Sequence, residues 1–196
     1  MNLNNYTEYK EPFYRIEMED CIDDKLVNEV NIIINKMNKK KSNYRGKRSD
    51  IHKRKFVSSK MLEKYFQMKK LIKFLLNKEV INFFEKKGKI DLKDCYLRCE
   101  IMCDHKGYWL EKHKDISEKK VSMLIYINDN NEDLSNGTDL YDKNLELVHT
   151  IPFKNKLGYI FFPSDNTWHG LEKGKNIKNR KCLLINYVTF KTDFKL

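Results

Sequence analysis

The chain has 196 residues, of which 40% are hydrophobic, and a net charge of +11. That is enough for one well-cored domain and short for two. No run of about 18 apolar residues is present, so no membrane-spanning helix is expected. The opening "MNLNNYTEYKEP" has no basic start followed by an apolar stretch, so it is not read as a secretory leader. The five cysteines are expected as reduced thiols of a cytoplasmic protein. Lys is abundant together with Asn and Ile throughout, and most of the Lys residues are scattered. A specific nucleic-acid role is therefore not expected.

In chain order, the first half reads as helical. Asp23 or Asp24 can cap a helix carrying Leu26, Val30, Ile33 and Met37 at three- and four-residue steps. Residues 36 to 55, "KMNKKKSNYRGKRSDIHKRK", hold ten Lys or Arg against one acid, Asp50. Such a run reads as a solvated loop or, alternatively, as a lid that steers an anionic partner. Ser58 or Ser59 can cap a second helix with Leu62, Tyr65, Phe66, Ile72 and Leu75. A third, "KEVINFFEKKG", is expected to stop at Gly88, which suits a left-handed C-terminal turn.

From about residue 95 the pattern changes to short β-rich runs: "CYLRCEIMC", "YWLEKH", "VSMLIYIN", "TDLYD", "LELVHTI", "LGYIFF", "TWHGL" and "RKCLLINYVTF". Turn signals such as Asn136-Gly137 and Pro163-Ser164 separate them. Eight short strands predict a small barrel or a two-sheet jelly roll covered by the preceding helices. Cys95, Cys99 and Cys103 recur every four residues. On a strand these positions lie about 13 Å apart, too far to share a metal, so they are expected as buried small side chains. Arg98 and Glu100 are expected as a surface or cross-strand pair. Trp109 and Trp168 fit barrel packing, with a substrate wall as the alternative.

The residues that carry chemistry are His113 and Asp115 in "YWLEKHKDI". On a strand, positions i and i+2 share a face, so an imidazole and a carboxylate converge. An oxygen-activating iron(II) site needs a third ligand and open positions, and His169 in "PSDNTWHGL" is the natural candidate. His52, His105 and His149 are expected as ordinary residues. Arg180 shares a strand face with Cys182 and Leu184. If that face is interior, the guanidinium needs a carboxylate, no acid of the neighbouring strands is an obvious match, and a bound dicarboxylate would satisfy it.

Residues 95 to 190 resemble the iron(II)- and 2-oxoglutarate-dependent dioxygenases, especially their prolyl-hydroxylase-like branch. The resemblance rests on "HKD", then "VSMLIYIND", then the "NGTDLYD" hairpin, then "LGYIFFPSDNTWHGL…NRKCLLINYV", in that order. It implies a mainly β, α+β fold with a double-stranded β-helix (jelly-roll) core packed by helices. Helices first and one β-barrel after them read as a single domain, 1–196, with helical support and the basic loop in 1–94 and the core that carries the resemblance in 95–190. The resemblance implies His113, Asp115 and His169 as ligands of Fe(II), with Arg180 and Tyr126 contacting 2-oxoglutarate. It further implies O2 as cosubstrate, ascorbate as a stimulant, and hydroxylation of an unactivated C–H, since the carboxylate at Asp115 is lost in halogenating relatives. Cys182 stands where the family often has Ser or Thr. The implied substrate is a prolyl or other peptide side chain, a free amino acid, or a sugar or lipid precursor. A non-catalytic jelly-roll module for an anionic partner and a cupin-like metalloenzyme without 2-oxoglutarate are the alternatives.

Overall fold

The computed structural model describes residues 1–38 and 52–196. Most of the basic run at 36–55 lies outside the described residues. The described residues form four helices: α1 (Asp24–Asn38), α2 (Ser59–Leu62), α3 (Phe66–Leu75) and α4 (Lys78–Gly88). Asp23 caps α1, its Oδ1 accepting from the Leu26 backbone N–H at 2.9 Å. Leu26, Val27, Val30, Ile33 and Ile34 form the buried stripe of that helix.

The single helix expected from Ser58 to Leu75 is broken in two. Its physical reason is tertiary. Glu29 of α1 accepts from the backbone N–H groups of Gln67 and Met68 at 3.2 and 2.7 Å. A carboxylate from another helix thus satisfies the first-turn donors of α3 and favours a fresh start there. The end of α4 also differs from expectation. The left-handed residue is Lys89, at φ 51°, and Gly88 is still helical. Gly88 serves close packing instead, because a Cβ there would lie 2.3 Å from the Phe162 ring.

The described residues form twelve strands, in the order β1 (Tyr6–Tyr9), β2 (Arg15–Met18), β3 (His52–Phe56), β4 (Tyr96–His105), β5 (Leu110–His113), β6 (Lys119–Ile127), β7 (Thr138–Tyr141), β8 (Leu147–Ile151), β9 (Gly158–Phe161), β10 (His169–Leu171), β11 (Asn179–Val188) and β12 (Phe194–Lys195). All eight expected runs after residue 95 form strands. The reading of the first half as purely helical was incomplete, since β1, β2 and β3 come from it.

The large sheet has the order β1-β2-β9-β6-β11-β4-β12, with β3 also paired to β4, and the small sheet the order β5-β10-β7-β8. Between β4 and β11 the chain passes back and forth between the two sheets, which makes the core a double-stranded β-helix. Strand parity divides the large sheet into two faces. Leu97, Cys99, Ile101, Val121, Met123, Ile125, Leu183 and Ile185 face outward onto Val30, Ile33, Leu71, Ile72 and Phe84 of the helices. Met102, Tyr126, Tyr159, Phe161 and Cys182 face inward, toward Leu140, Ile151 and Phe153 at the small sheet. All five cysteines are free and buried, and Cys95, Cys99 and Cys103 pack in the outer core as expected. No helix among the described residues is long and apolar enough to cross a membrane.

Candidate active site

Between the sheets lies a cavity of about 290 Å³. At one end the fold brings together His113, Asp115 and His169, whose ligand atoms all lie within 4.8 Å of one another. Antiparallel pairing of β5 with β10 sets His169 directly opposite His113, with ring centroids 4.3 Å apart. Asp115 is not on a strand, as its spacing had suggested. It follows the end of β5, in the connection to β6.

Both imidazoles are oriented from behind. Nδ1 of His113 is 2.8 Å from the Glu111 carbonyl oxygen, and Nδ1 of His169 is 2.9 Å from that of Thr167. A carbonyl only accepts, so each Nδ1 carries the proton and each Nε2 keeps its lone pair for a metal. Burial, reinforced by the neighbouring His113, pulls the His169 pKa down to about 4 against the opposing pull of Asp115, so this ring is neutral at pH 7. Burial raises the Asp115 pKa, but the Lys119 ammonium, the His169 ring and hydrogen bonds outweigh it and leave the pKa below the usual value. Lys119 Nζ donates to Asp115 Oδ1, and Ser122 Oγ donates to Oδ2. A carboxylate offers about four lone-pair sites, so one oxygen can accept these bonds and still bind a metal. The donor set therefore fits iron(II): two imidazoles, each held through Nδ1, and one carboxylate beside a cavity.

The other end of the cavity holds Arg180, 4% exposed. The expectation that no neighbouring acid matches it is corrected here. Asp104 is the register partner of Arg180 across β4 and β11. The Arg180 Nη1 donates to Asp104 Oδ2 at 2.7 Å. Nε donates to the Asn136 carbonyl at 2.7 Å and Nη2 to Thr138 Oγ1 at 3.3 Å. Asp104 is fully buried and its second oxygen pairs with His52 Nδ1. His52, expected as an ordinary residue of the basic loop, is on β3 and stacks on Tyr108 in the cavity wall. Cys182 is buried beside Arg180.

Tyr126 is fully buried and sits behind the cavity rather than in its wall. Its hydroxyl lies 2.6 Å from Thr138 Oγ1, and it is Thr138 and Tyr159 that reach the cavity. Neither tryptophan lines it. Trp168 and Trp109 are half-buried under the ammonium groups of Lys114 and Lys173. Glu100 is an ion-pair centre, 2.7 Å from Arg98 and 2.9 Å from Arg54 of the next strand. His105 ends β4 and His149 lies on β8, away from the triad. The sequence reading missed Asp104, His52, Thr138 and Tyr159. For Tyr159 a signal existed, because it shares a strand face with Phe161.

No protein-family model and no curated protein matches the chain. Solved structures do. A prolyl-4-hydroxylase from Pseudomonas putida superposes with a TM-score of 0.67 at 11% identity, over 90% of this chain and 93% of that one. A prolyl hydroxylase from Trichoplax adhaerens, in complex with a hypoxia-inducible-factor oxygen-degradation-domain peptide fragment, gives 0.64 at 14%, over 89% and 83%. An oxidoreductase of the 2OG-Fe(II) oxygenase family from Burkholderia pseudomallei gives 0.59 at 11%, over 90% and 84%. At such identities the likeness is one of architecture, and the architecture is the helix-covered jelly roll that this chain shares with prolyl hydroxylases and 2OG-Fe(II) oxygenases.

Proposed function

We propose that this protein is an iron(II)- and 2-oxoglutarate-dependent dioxygenase that hydroxylates an unactivated C–H bond, with a prolyl or other peptide side chain as the substrate class. One observation carries the reading: a cavity in a jelly roll of this kind has the His113–Asp115–His169 cluster at one end and the buried Arg180 at the other. The peptide substrate is supported by the peptide-bound Trichoplax structure among the similar folds.

In this reading His113 and His169 would hold iron(II) through Nε2 and Asp115 through one oxygen. Arg180 faces the far carboxylate of 2-oxoglutarate, and Tyr126 acts on it through Thr138. Bound there, iron and the 2-oxo acid supply the oxidising chemistry, and the chain supplies position and dryness. The carbonyls of Glu111 and Thr167 fix the imidazole tautomers, Lys119 and Ser122 hold the carboxylate, and Phe161, 4.9 Å from the His169 ring, keeps water from that side.

Anaerobic titration of the iron(II)-loaded protein with 2-oxoglutarate tests the reading. A weak visible charge-transfer band should grow with the 2-oxo acid. His169→Ala and Asp115→Ala should each lose iron, band and turnover, and Arg180→Ala should raise the 2-oxoglutarate requirement about tenfold or more. A folded, iron-bound protein without the band would overturn the assignment.

A further inference from the structure

A buried hydroxyl almost always has a hydrogen-bond partner, and leaving one without costs roughly 1–3 kcal/mol. Tyr159 breaks that rule. It is fully buried, it lines the cavity, and its Oη makes no hydrogen bond of ordinary geometry, with the Thr138 hydroxyl beside it. The other side-chain atoms in this condition among the described residues differ in kind. Asn136 and Asn186 do not line the cavity, and the oxygens of Glu100 lie within ion-pair distance of two arginines. The fold gains no hydrogen bond of ordinary geometry from the Tyr159 hydroxyl, and a phenylalanine would fill the same space.

Its position is between the two ends of the cavity. The ring lies 6.0 Å from Tyr126, which neighbours Arg180, and stacks 6.1 Å from Phe161, which touches His169. Burial, with Tyr126 beside it, raises the phenol pKa well above its usual value, so the group is a donor.

A second donor stands next to it. Arginine can only donate, so Thr138 Oγ1 accepts from Arg180 Nη2. The Tyr126 hydroxyl lies 2.6 Å from the same Oγ1, and either of the two can donate. The Thr138 proton therefore has Tyr126, Tyr159 or a ligand in the cavity as its acceptor. Arg180, meanwhile, shares its charge with Asp104. This end of the cavity thus presents the Tyr159 and Thr138 hydroxyls and a guanidinium already held in place, which suits an acceptor-only carboxylate.

We propose that Tyr159 binds the far carboxylate of the dicarboxylic cosubstrate directly, its Oη donating a hydrogen bond beside those from Thr138 and Arg180. The proposal rests on the functional reading above. It makes Tyr159 a specificity determinant for a 2-oxo acid with a second carboxylate over one without.

The test is calorimetric binding to the full chain loaded with Mn(II), a redox-silent substitute for iron(II). The probes are 2-oxoglutarate and 2-oxopentanoate, which share the chelating end and differ in the far carboxylate. Tyr159→Phe should weaken 2-oxoglutarate roughly 10- to 100-fold, as for a hydrogen bond to a charged group, and leave 2-oxopentanoate unchanged. The metal-free variant should be at least as thermally stable as the parent protein, because the fold loses no hydrogen bond of ordinary geometry. Equal affinities of variant and parent for 2-oxoglutarate, or equal weakening of both probes, would overturn the role of Tyr159 with the site reading intact. Failure of the parent protein to prefer 2-oxoglutarate over 2-oxopentanoate would instead overturn the site reading itself.

Discussion

Asp104 is the residue whose charge matters most to the site without being in the metal cluster. It is fully buried and holds both Arg180 and His52. Removing one partner of a buried ion pair leaves the other charge unpaired, at a cost of about 3–5 kcal/mol. Asp104→Ala should lose stability of that size in urea unfolding. The exposed pair of Lys154 with Glu19 at 2.7 Å is the control, and Lys154→Ala should cost about 1 kcal/mol or less. Equal costs for the two variants would mean that Arg180 does not depend on Asp104. The pair also marks what a sequence can and cannot disclose at this scale. That Arg180 shares a face with Cys182 and Leu184 follows from parity alone, whereas which face is interior does not. Its partner follows from register between β4 and β11, which lie 76 residues apart in the chain, and no local pattern encodes register. The same holds for His113 opposite His169: their types and order were legible, their apposition was not. Asp115 was legible as a ligand candidate for the wrong geometric reason, since it lies past the end of its strand.

At the scale of elements, two glycines separate backbone constraint from side-chain packing. A Cβ on Gly137 would stand 1.6 Å from the carbonyl oxygen of Ile151. That atom is backbone, in the paired strand β8, and cannot step aside without breaking the β7–β8 ladder that places Thr138 opposite Ile151. Gly137→Ala should therefore cost at least the upper end of the roughly 1–3 kcal/mol typical of overpacking. It should also weaken cosubstrate binding through Thr138. A Cβ on Gly88 would instead meet the ring of Phe162, a half-buried side chain rather than backbone. There, the gain of about 1 kcal/mol from Gly to Ala in a helix offsets part of the clash. Thermal melts of the two variants should separate widely, and similar melting temperatures would refute the distinction. Helix ends were legible where they depend on local chemistry, as with Asp23. They were not where a distant group decides, as with Glu29 at the start of α3.

Across the whole molecule, the motif-bearing half and the helical half meet over one sheet. The outward face of the large sheet carries Leu97, Ile101, Val121, Met123, Ile125, Leu183 and Ile185, all fully buried under the helices. Strands β1, β2 and β3 extend the same sheet on both sides. Exposing seven such side chains forfeits on the order of 10–20 kcal/mol of burial at about 1.5–3 kcal/mol each. That matches or exceeds the roughly 5–15 kcal/mol by which a whole domain is stable. We therefore expect residues 95–190, although they contain every ligand of the proposed iron site, to be unable to fold alone, and the whole chain to behave as one cooperative domain. Tyr187 ties the halves further, its hydroxyl donating to the Leu75 carbonyl at 2.6 Å in the buried interface. The check is to express 95–190 and the full chain side by side and follow each by near-ultraviolet circular dichroism and thermal unfolding. The full chain should show fixed aromatic environments and one transition. The fragment should show neither, and it should not bind iron(II). A fragment with a cooperative transition of its own would place the domain boundary at residue 94 and reduce the helices to an accessory layer.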